Sequence, residues 1–235
     1  MKNKLICELN KIASNKFLIQ KYFPLLEIST NVSMLHRVSL IFVKVHYKFF
    51  NILYPKRPWT SPASILFFDR NLNNKMVGLE YGSGRSTFYF SKKIKHLVSI
   101  EHHEEWFTSV NKELTENKVK NVDYFLIPKE NFPLNVEDKD IFLNEFDEYE
   151  SKKNYLNYYN KVNEYPDDYF DFVLIDGRAR VRCGLNAIKK LKPGGIFVLD
   201  NSERNRYKHL FVELEDWPNA NTTNGFMNTT IWIKP

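Results

Sequence analysis

The sequence predicts an α/β fold built on a doubly wound, mainly parallel sheet, and three observations carry that prediction. Short apolar runs at 76–80, 97–101, 122–127, 170–175 and 196–200 alternate with helix-like segments. Such strict alternation implies right-handed crossovers and a sheet covered on both faces. The first run ends in the turn Glu80-Tyr-Gly82-Ser-Gly84-Arg-Ser-Thr87, and the second delivers an acidic residue, Glu101, nineteen positions after Gly82. Further on, the apolar run ending at Ile175 meets Asp176-Gly-Arg178-Ala-Arg180, and the run ending at Leu199 meets Asp200-Asn201-Ser202.

Taken in order, residues 1–57 read as a helical extension of two stretches, 2–23 and 32–53, separated by Pro24 and Ser29-Thr-Asn31. A core domain then spans 58–235. Ser61 before Pro62 is a helix cap with proline at the first helical position, opening a helix over 63–72. The first strand and its glycine turn lead into a helix over Ser86–Ile94. Between the third strand and the fourth lies an insert, 128–168, acidic in its first half, with two Lys against eight Asp or Glu over 128–150. It contains Tyr149, Tyr155, Tyr158, Tyr159 and Tyr165, which read either as packing or as a wall for a ligand. Val181–Leu191 has helical periodicity, and Lys189, Lys190 and Lys192 favour its C-terminal dipole end. Pro193-Gly194-Gly195 breaks that helix ahead of the fifth strand, and His209–Glu213 with Asn228–Ile233 supply the terminal strands.

At 235 residues the chain is long enough for one substantial core. Its net charge of +6 is uneven: residues 1–60 hold ten Lys or Arg against two Glu, leaving 24 basic against 26 acidic beyond them. A nearly neutral core speaks against a nucleic-acid groove through it. The basic, aromatic N-terminal segment suits either a solvated helical lid or peripheral contact with an anionic membrane surface. Two cysteines in unrelated segments suggest neither a disulfide framework nor a metal cluster, so a cytoplasmic protein is expected. Lys44, His46 and Lys48 interrupt the apolar stretch 40–53, which is also too short to span a bilayer needing about 20 apolar residues.

Glycines at 82 and 84 let backbone pass close to a ligand, and a carboxylate at the tip of the next strand suits ribose hydroxyls. The turn departs from the dinucleotide fingerprint G-x-G-x-x-G, because Thr87 stands at the third glycine and Glu80 precedes the first. In these residues, in the L-K-P-G-G turn at 191–195 and in the D-G-R-A-R and D-N-S segments, the chain resembles the class I S-adenosylmethionine-dependent methyltransferases, over about 58–233. It looks closest to a bacterial group of them carrying E-x-G-S-G-x-S-T and D-G-R-A-R-x-x-C. The resemblance implies a Rossmann-like, seven-stranded sheet whose last strand is antiparallel. It implies S-adenosylmethionine as cofactor, held by Gly82, Ser83, Gly84, Ser86, Thr87, Glu101, His102 and Asp176. Glu80 either meets the cofactor's ammonium through water or ties down the turn.

Asp176, Asp200 and Asn201, with Arg178, are the candidate catalytic residues. In spacing and type the first three resemble the Mg²⁺-binding set of catechol-type O-methyltransferases, without the lysine base. As hard oxygen ligands they suit Mg²⁺; Asp176 capping a helix and Asp200 bonding an arginine are the alternatives. Arg178, Arg180, Arg204 and Arg206 form either a cationic patch at the site mouth or surface ion pairs with the insert. The resulting expectation is O-methylation of a small-molecule or glycan hydroxyl. Its rivals are an NAD(P)-linked oxidoreductase and a methyltransferase-like module without catalysis.

Overall fold

The computed structural model describes residues 2–14, 45, 48–50, 52–133, 135, 137, 139, 153–224 and 227–235. Helix α1 (Lys2–Ser14) is followed by α2 (Pro62–Asn71), and then strand and helix alternate. The series runs β1 (Val77–Tyr81), α3 (Arg85–Ser91), β2 (His96–Glu101), α4 (Glu104–Glu116), β3 (Val122–Leu126) and α5 (Leu156–Asn160). It continues through β4 (Phe170–Ile175), α6 (Arg180–Lys190), β5 (Leu191–Asp200), α7 (Lys208–Glu213), β6 (Asn219–Thr223) and β7 (Asn228–Ile233). The sheet order is β3-β2-β1-β4-β5-β7-β6. Every neighbouring pair from β3 to β5 is parallel, and β7 runs antiparallel to both β5 and β6. This is the expected Rossmann-like arrangement with its antiparallel last strand.

The central strands read as unbroken apolar runs because both faces are covered. Val173, Ile175, Phe197 and Leu199 face one core, with Tyr158, Val181, Ala187 and Leu210 from the helical side. Phe172, Leu174, Ile196 and Val198 face the other, where Leu5, Leu9 and Ile12 of α1 meet Phe67 and Phe68 of α2. Leu5, Leu9 and Ile12 lie three to four residues apart, one face of a helix, so α1 completes that core. At the start of α2, Ser61 Oγ accepts from Ser64 N at 3.1 Å with Pro62 in the first turn, as the sequence predicts.

Three expectations change. His209–Glu213 lies in helix α7, and the edge strand is Asn219–Thr223 instead. Its polar alternation, with Thr222 buried against Ser61 and Thr229, carries no apolar signal that would mark a strand. The Pro193-Gly194-Gly195 turn is absorbed into β5, where the pairing slips between Phe170↔Leu191 and Phe172↔Ile196. Gly194 takes φ +74° in that irregularity, which glycine allows. Of the insert's tyrosines, Tyr155, Tyr158 and Tyr159 are packed in the core cluster with Phe170 and Leu199, and Tyr165 packs against it partly buried. Tyr149, residues 15–44 and most of the second N-terminal helical stretch lie outside the described residues; 45, 48–50 and 52–53 are helical. Among the described residues no helix is long and apolar enough to cross a membrane. Phe49, Ile52 and Leu53 are exposed.

Candidate active site

Strand order reverses between β1 and β4, so the chain leaves their C-terminal ends in opposite directions and opens a crevice there. A cleft of about 540 Å³ occupies that place. It is bounded on one side by Gly82, Ser83, Glu101, His102, His103 and Trp106, and on the other by Asp176, Gly177, Asn201 and four arginines, 178, 180, 204 and 206.

The two glycines of the β1 turn serve different ends. Gly82 has φ +86°, and a Cβ there would lie 2.5 Å from Gly177 N and 2.6 Å from Gly177 Cα. The close passage of two strand-end turns therefore demands this glycine. Gly84 is extended (φ 167°), and a Cβ would stand 3.7 Å from the Trp106 ring and 4.0 Å from Ser86 Oγ, ordinary contact distances, so packing does not require glycine there. Gly84 is not among the residues that line the cleft. Thr87 Oγ1 accepts from Gly84 N at 2.9 Å and donates to Glu80 Oε2 at 2.6 Å, and Ser99 Oγ donates to the same oxygen at 2.8 Å. Glu80 thus ties down the turn, the second of its two expected roles. Burial raises its carboxyl to a pKa of about 7, and Oε1 has no hydrogen-bond partner among the described residues. Ser86, also expected at the cofactor, is buried at the start of α3.

Glu101 ends β2 and gathers donors. Oε2 accepts from Ser83 N and Ser83 Oγ, each at 2.8 Å, and Oε1 accepts from His102 N at 2.8 Å and His103 N at 2.9 Å. Burial acts to raise its pKa, but the bonds from His102, His103 and Ser83 outweigh it and bring the value to about 2. The carboxylate is ionised and aimed at the cleft floor. Ser83 Oγ also sits 2.6 Å from Tyr124 Oη, which gives it a second partner. His102 Nδ1 lies 2.9 Å from Glu101 Oε1, with its ring edge-on to Tyr158. His103 caps α4, accepting from Trp106 N.

The opposite rim is organised by Arg180. Its Nε donates to Gly177 O at 2.9 Å, its other nitrogens donate to Asp200 O and to Asn201 Oδ1, and Nη2 stands 3.1 Å from Asp176 Oδ1. Asp200 does not line the cleft; its Oδ1 accepts from Thr229 Oγ1 at 2.7 Å and its Oδ2 from Asn201 Nδ2 at 3.0 Å. Asn201 is left-handed (φ 51°), a conformation asparagine tolerates. Burial raises the carboxyl of Asp176 against the opposing charges of Arg180 and Arg204. Burial and then the charge of Asp176 push Asp200 well above its usual range. These residues do not fit Mg²⁺. A guanidinium already bridges Asp176 and Asn201, and both oxygens of Asp200 face protein donors. Arg180 reaches Asp200 only at its backbone oxygen, while the Asp200 carboxylate is held by Thr229 and Asn201.

Of the expected site residues, the cleft brings together Gly82, Ser83, Glu101, His102, Asp176, Arg178 and Asn201. Glu80, Thr87 and Asp200 stand behind them as supports. Trp106 is a cleft residue that the sequence does not single out. It sits one turn into α4, donates from Nε1 to Ser83 O, and lies 6.3 Å from the Trp59 ring. Its sequence signal is an aromatic pair, Trp106-Phe107, five positions past Glu101 at a helix start.

No protein-family model matches the sequence, and no curated protein matches it. Solved structures do. A methyltransferase-like protein (spo2022) from Silicibacter pomeroyi DSS-3 aligns over 76% of this chain and 89% of its own, with a TM-score of 0.52 and 21% identity. SMU.1697c from Streptococcus mutans, solved in complex with S-adenosylhomocysteine, aligns over 72% of this chain and 93% of its own, with a TM-score of 0.51 and 11% identity. At those identities the likeness speaks for the backbone arrangement, and the chain has the fold of the class I S-adenosylmethionine-dependent methyltransferases.

Proposed function

We propose that the protein is an S-adenosylmethionine-dependent methyltransferase acting on an oxygen of a small-molecule or sugar hydroxyl. One observation carries the reading: an ionised Glu101 at the end of β2 lines the cleft where the strand order reverses. Glu101 would hold the ribose hydroxyls, with Ser83 Oγ giving way to them and keeping Tyr124. Trp106 would stand against the ligand as part of the cleft wall. When bound, the cofactor supplies an electrophilic methyl on a sulfonium. Asp176, at the cleft wall with its basicity raised by burial, would orient the acceptor hydroxyl and receive its proton. Arg178 and Arg180 would fix the acceptor's orientation, since displacement needs acceptor, methyl and sulfur in line.

The dinucleotide alternative fits poorly. Gly84 N, the amide a pyrophosphate would use, donates to Thr87 Oγ1, and the buried Glu80 carboxyl lies directly beneath the turn. Calorimetry should show binding of S-adenosylmethionine and S-adenosylhomocysteine and none of NAD, with Glu101→Gln weakening the former by about 1.5–3 kcal/mol, the scale of hydrogen bonds to a charged group. Tight NAD binding, or unaltered affinity in that variant, contradicts the reading.

A further inference from the structure

We propose that the helical residues between 45 and 53, with Tyr54, Lys56 and the end of α3, form a surface that docks on an anionic lipid bilayer. The inference is independent of the methyltransferase reading, because none of these residues lines the cleft. Large apolar side chains stand exposed here in a helical pattern. Val45, Phe49, Ile52 and Leu53 follow one another at i, i+4, i+7 and i+8, the spacing of one helix face, and they are 51%, 61%, 64% and 70% exposed. Phe50, which that spacing turns away from the stripe, packs against the core that α1 completes. The stretch therefore has one side fixed to the protein and an apolar side facing solvent. A contiguous apolar face of this kind marks an interaction surface.

The same surface continues onto α3. Leu53 and Tyr54 line a cavity of about 480 Å³ together with Phe88 and Tyr89 of α3 and Lys92 just beyond it. Lys56 Nζ lies 5.7 Å and Lys92 Nζ 4.1 Å from the centroid of the Phe88 ring, and neither makes an ion pair with a described residue. The other two cations of the cavity, Arg57 and Lys93, are taken up by Asp69, at 3.5 Å and 2.6 Å. Two ammonium groups thus share one aromatic ring on the wall of an apolar cavity. This combination suits a bilayer better than a protein partner. Lysine is depleted at protein interfaces, where its strongly hydrated ammonium would have to be desolvated. At a membrane it lays its methylenes along apolar surface and keeps its ammonium at the level of the lipid phosphates. In the docked state the helix face reaches the acyl boundary, Tyr54 stands at headgroup depth, and a headgroup phosphate lies between Lys56 and Lys92. The contact depends on that face and on those two ammonium groups, not on the net charge of the protein.

The test is co-sedimentation of the full chain with vesicles of phosphatidylcholine alone or of phosphatidylcholine mixed with phosphatidylglycerol. The protein should bind the anionic vesicles at low salt, release as salt rises, and leave the neutral vesicles bare. Lys56→Gln/Lys92→Gln should lower the partition onto anionic vesicles by at least about tenfold, each lysine near such a surface counting for about fivefold. Ile52→Ser/Leu53→Ser should lower it by at least about tenfold as well, the scale of one buried aliphatic side chain, and should keep the parental melting temperature. Absence of binding to anionic vesicles at low salt overturns the proposal, as does parental binding by either variant or equal binding to both kinds of vesicle. A lowered melting temperature in Ile52→Ser/Leu53→Ser shows the face to be packed within the chain, and a change from dimer to monomer in that variant shows it to be covered by a second copy. Either result also overturns the bilayer contact.

Discussion

The two rims of the cleft place carboxylates in opposite electrostatic settings. At the end of β2, Glu101 is as buried as a core residue, yet four hydrogen bonds from Ser83, His102 and His103 hold it ionised, with a pKa of about 2. At the ends of β4 and β5, Asp176 and Asp200 share one guanidinium and each other's repulsion, and burial raises both. The functional group is the same, and the donors decide the outcome. Amides packed around a strand end make a fixed anion suited to binding. A buried pair around one arginine makes a site able to take up a proton. Under the proposed function, the first rim would hold the ligand and the second would handle the proton.

The contrast breaks most visibly at Arg180. Replacing it with Gln leaves Asp176 without its cation and removes donors from Gly177 O, Asp200 O and Asn201 Oδ1. The expected loss is about 3–5 kcal/mol, as for other broken buried ion pairs. Arg180→Lys should recover only part of it, because one ammonium cannot reach four acceptors. Urea unfolding of both variants at neutral pH measures this, and a parental midpoint for Arg180→Gln would mean the second rim is not built around that residue.

The next effect concerns Glu80, which belongs to the first rim in sequence but resembles the second in physics. Its pKa rises from 4.5 to about 7 on burial. The native state therefore binds the extra proton between those values. Its contribution to stability is complete below about pH 4.5 and is lost as pH rises through 7. By linkage that loss approaches about 3 kcal/mol, at roughly 1.4 kcal/mol for each pH unit between the unfolded and folded values. Glu80→Gln keeps the shape, so the difference in unfolding free energy between variant and parent should grow in the variant's favour from about pH 4.5 to 8. Parallel stability curves would show that Glu80 is ionised throughout.

The smallest effect sharpens the first rim. Ser83 Oγ occupies Glu101 Oε2 before any ligand arrives. Ser83→Ala frees that oxygen and should tighten S-adenosylhomocysteine binding by roughly two- to fivefold, up to about 1 kcal/mol for one displaced hydrogen bond. Weaker binding in the variant would instead assign the hydroxyl a direct contact with the cofactor, as the sequence alone suggests.

Much of this site is visible in the chain before folding, because strand-end residues follow apolar runs that are easy to find. Glu101, Asp176 and Asn201 stand at such ends, and the fold brings them to one crevice. The roles are less visible than the positions. Gly82 reads as ligand clearance, but what it clears is the backbone of Gly177, 95 residues away in the chain. Asp200 reads as a metal ligand, but its carboxylate turns to Thr229 on a strand whose pairing the local sequence does not specify. Arg180 sits at the start of a helix like any surface arginine, and only the tertiary convergence of β4 and β5 places it between the Asp176 carboxylate and the Asp200 backbone oxygen. The edge strand β6 is illegible for a related reason. Its Asn-Ala-Asn-Thr-Thr sequence is held by hydroxyl bonds to Ser61 and Thr229, not by an apolar face.

The insert that precedes β4 is anchored at its base. Glu130 N donates to Asn154 O at 2.8 Å and Phe132 N to Asn154 Oδ1 at 3.0 Å, so the chain enters and leaves through one pinched pair of segments. Immediately beyond, Tyr158 runs under Gly177, where a Cβ would come within 2.1 Å of its hydroxyl. The base of the insert is thus part of the floor on which the Asp176 turn rests. A change at Tyr158 would therefore be felt at the Asp176 turn, although this tyrosine belongs to the insert and to no strand of the sheet.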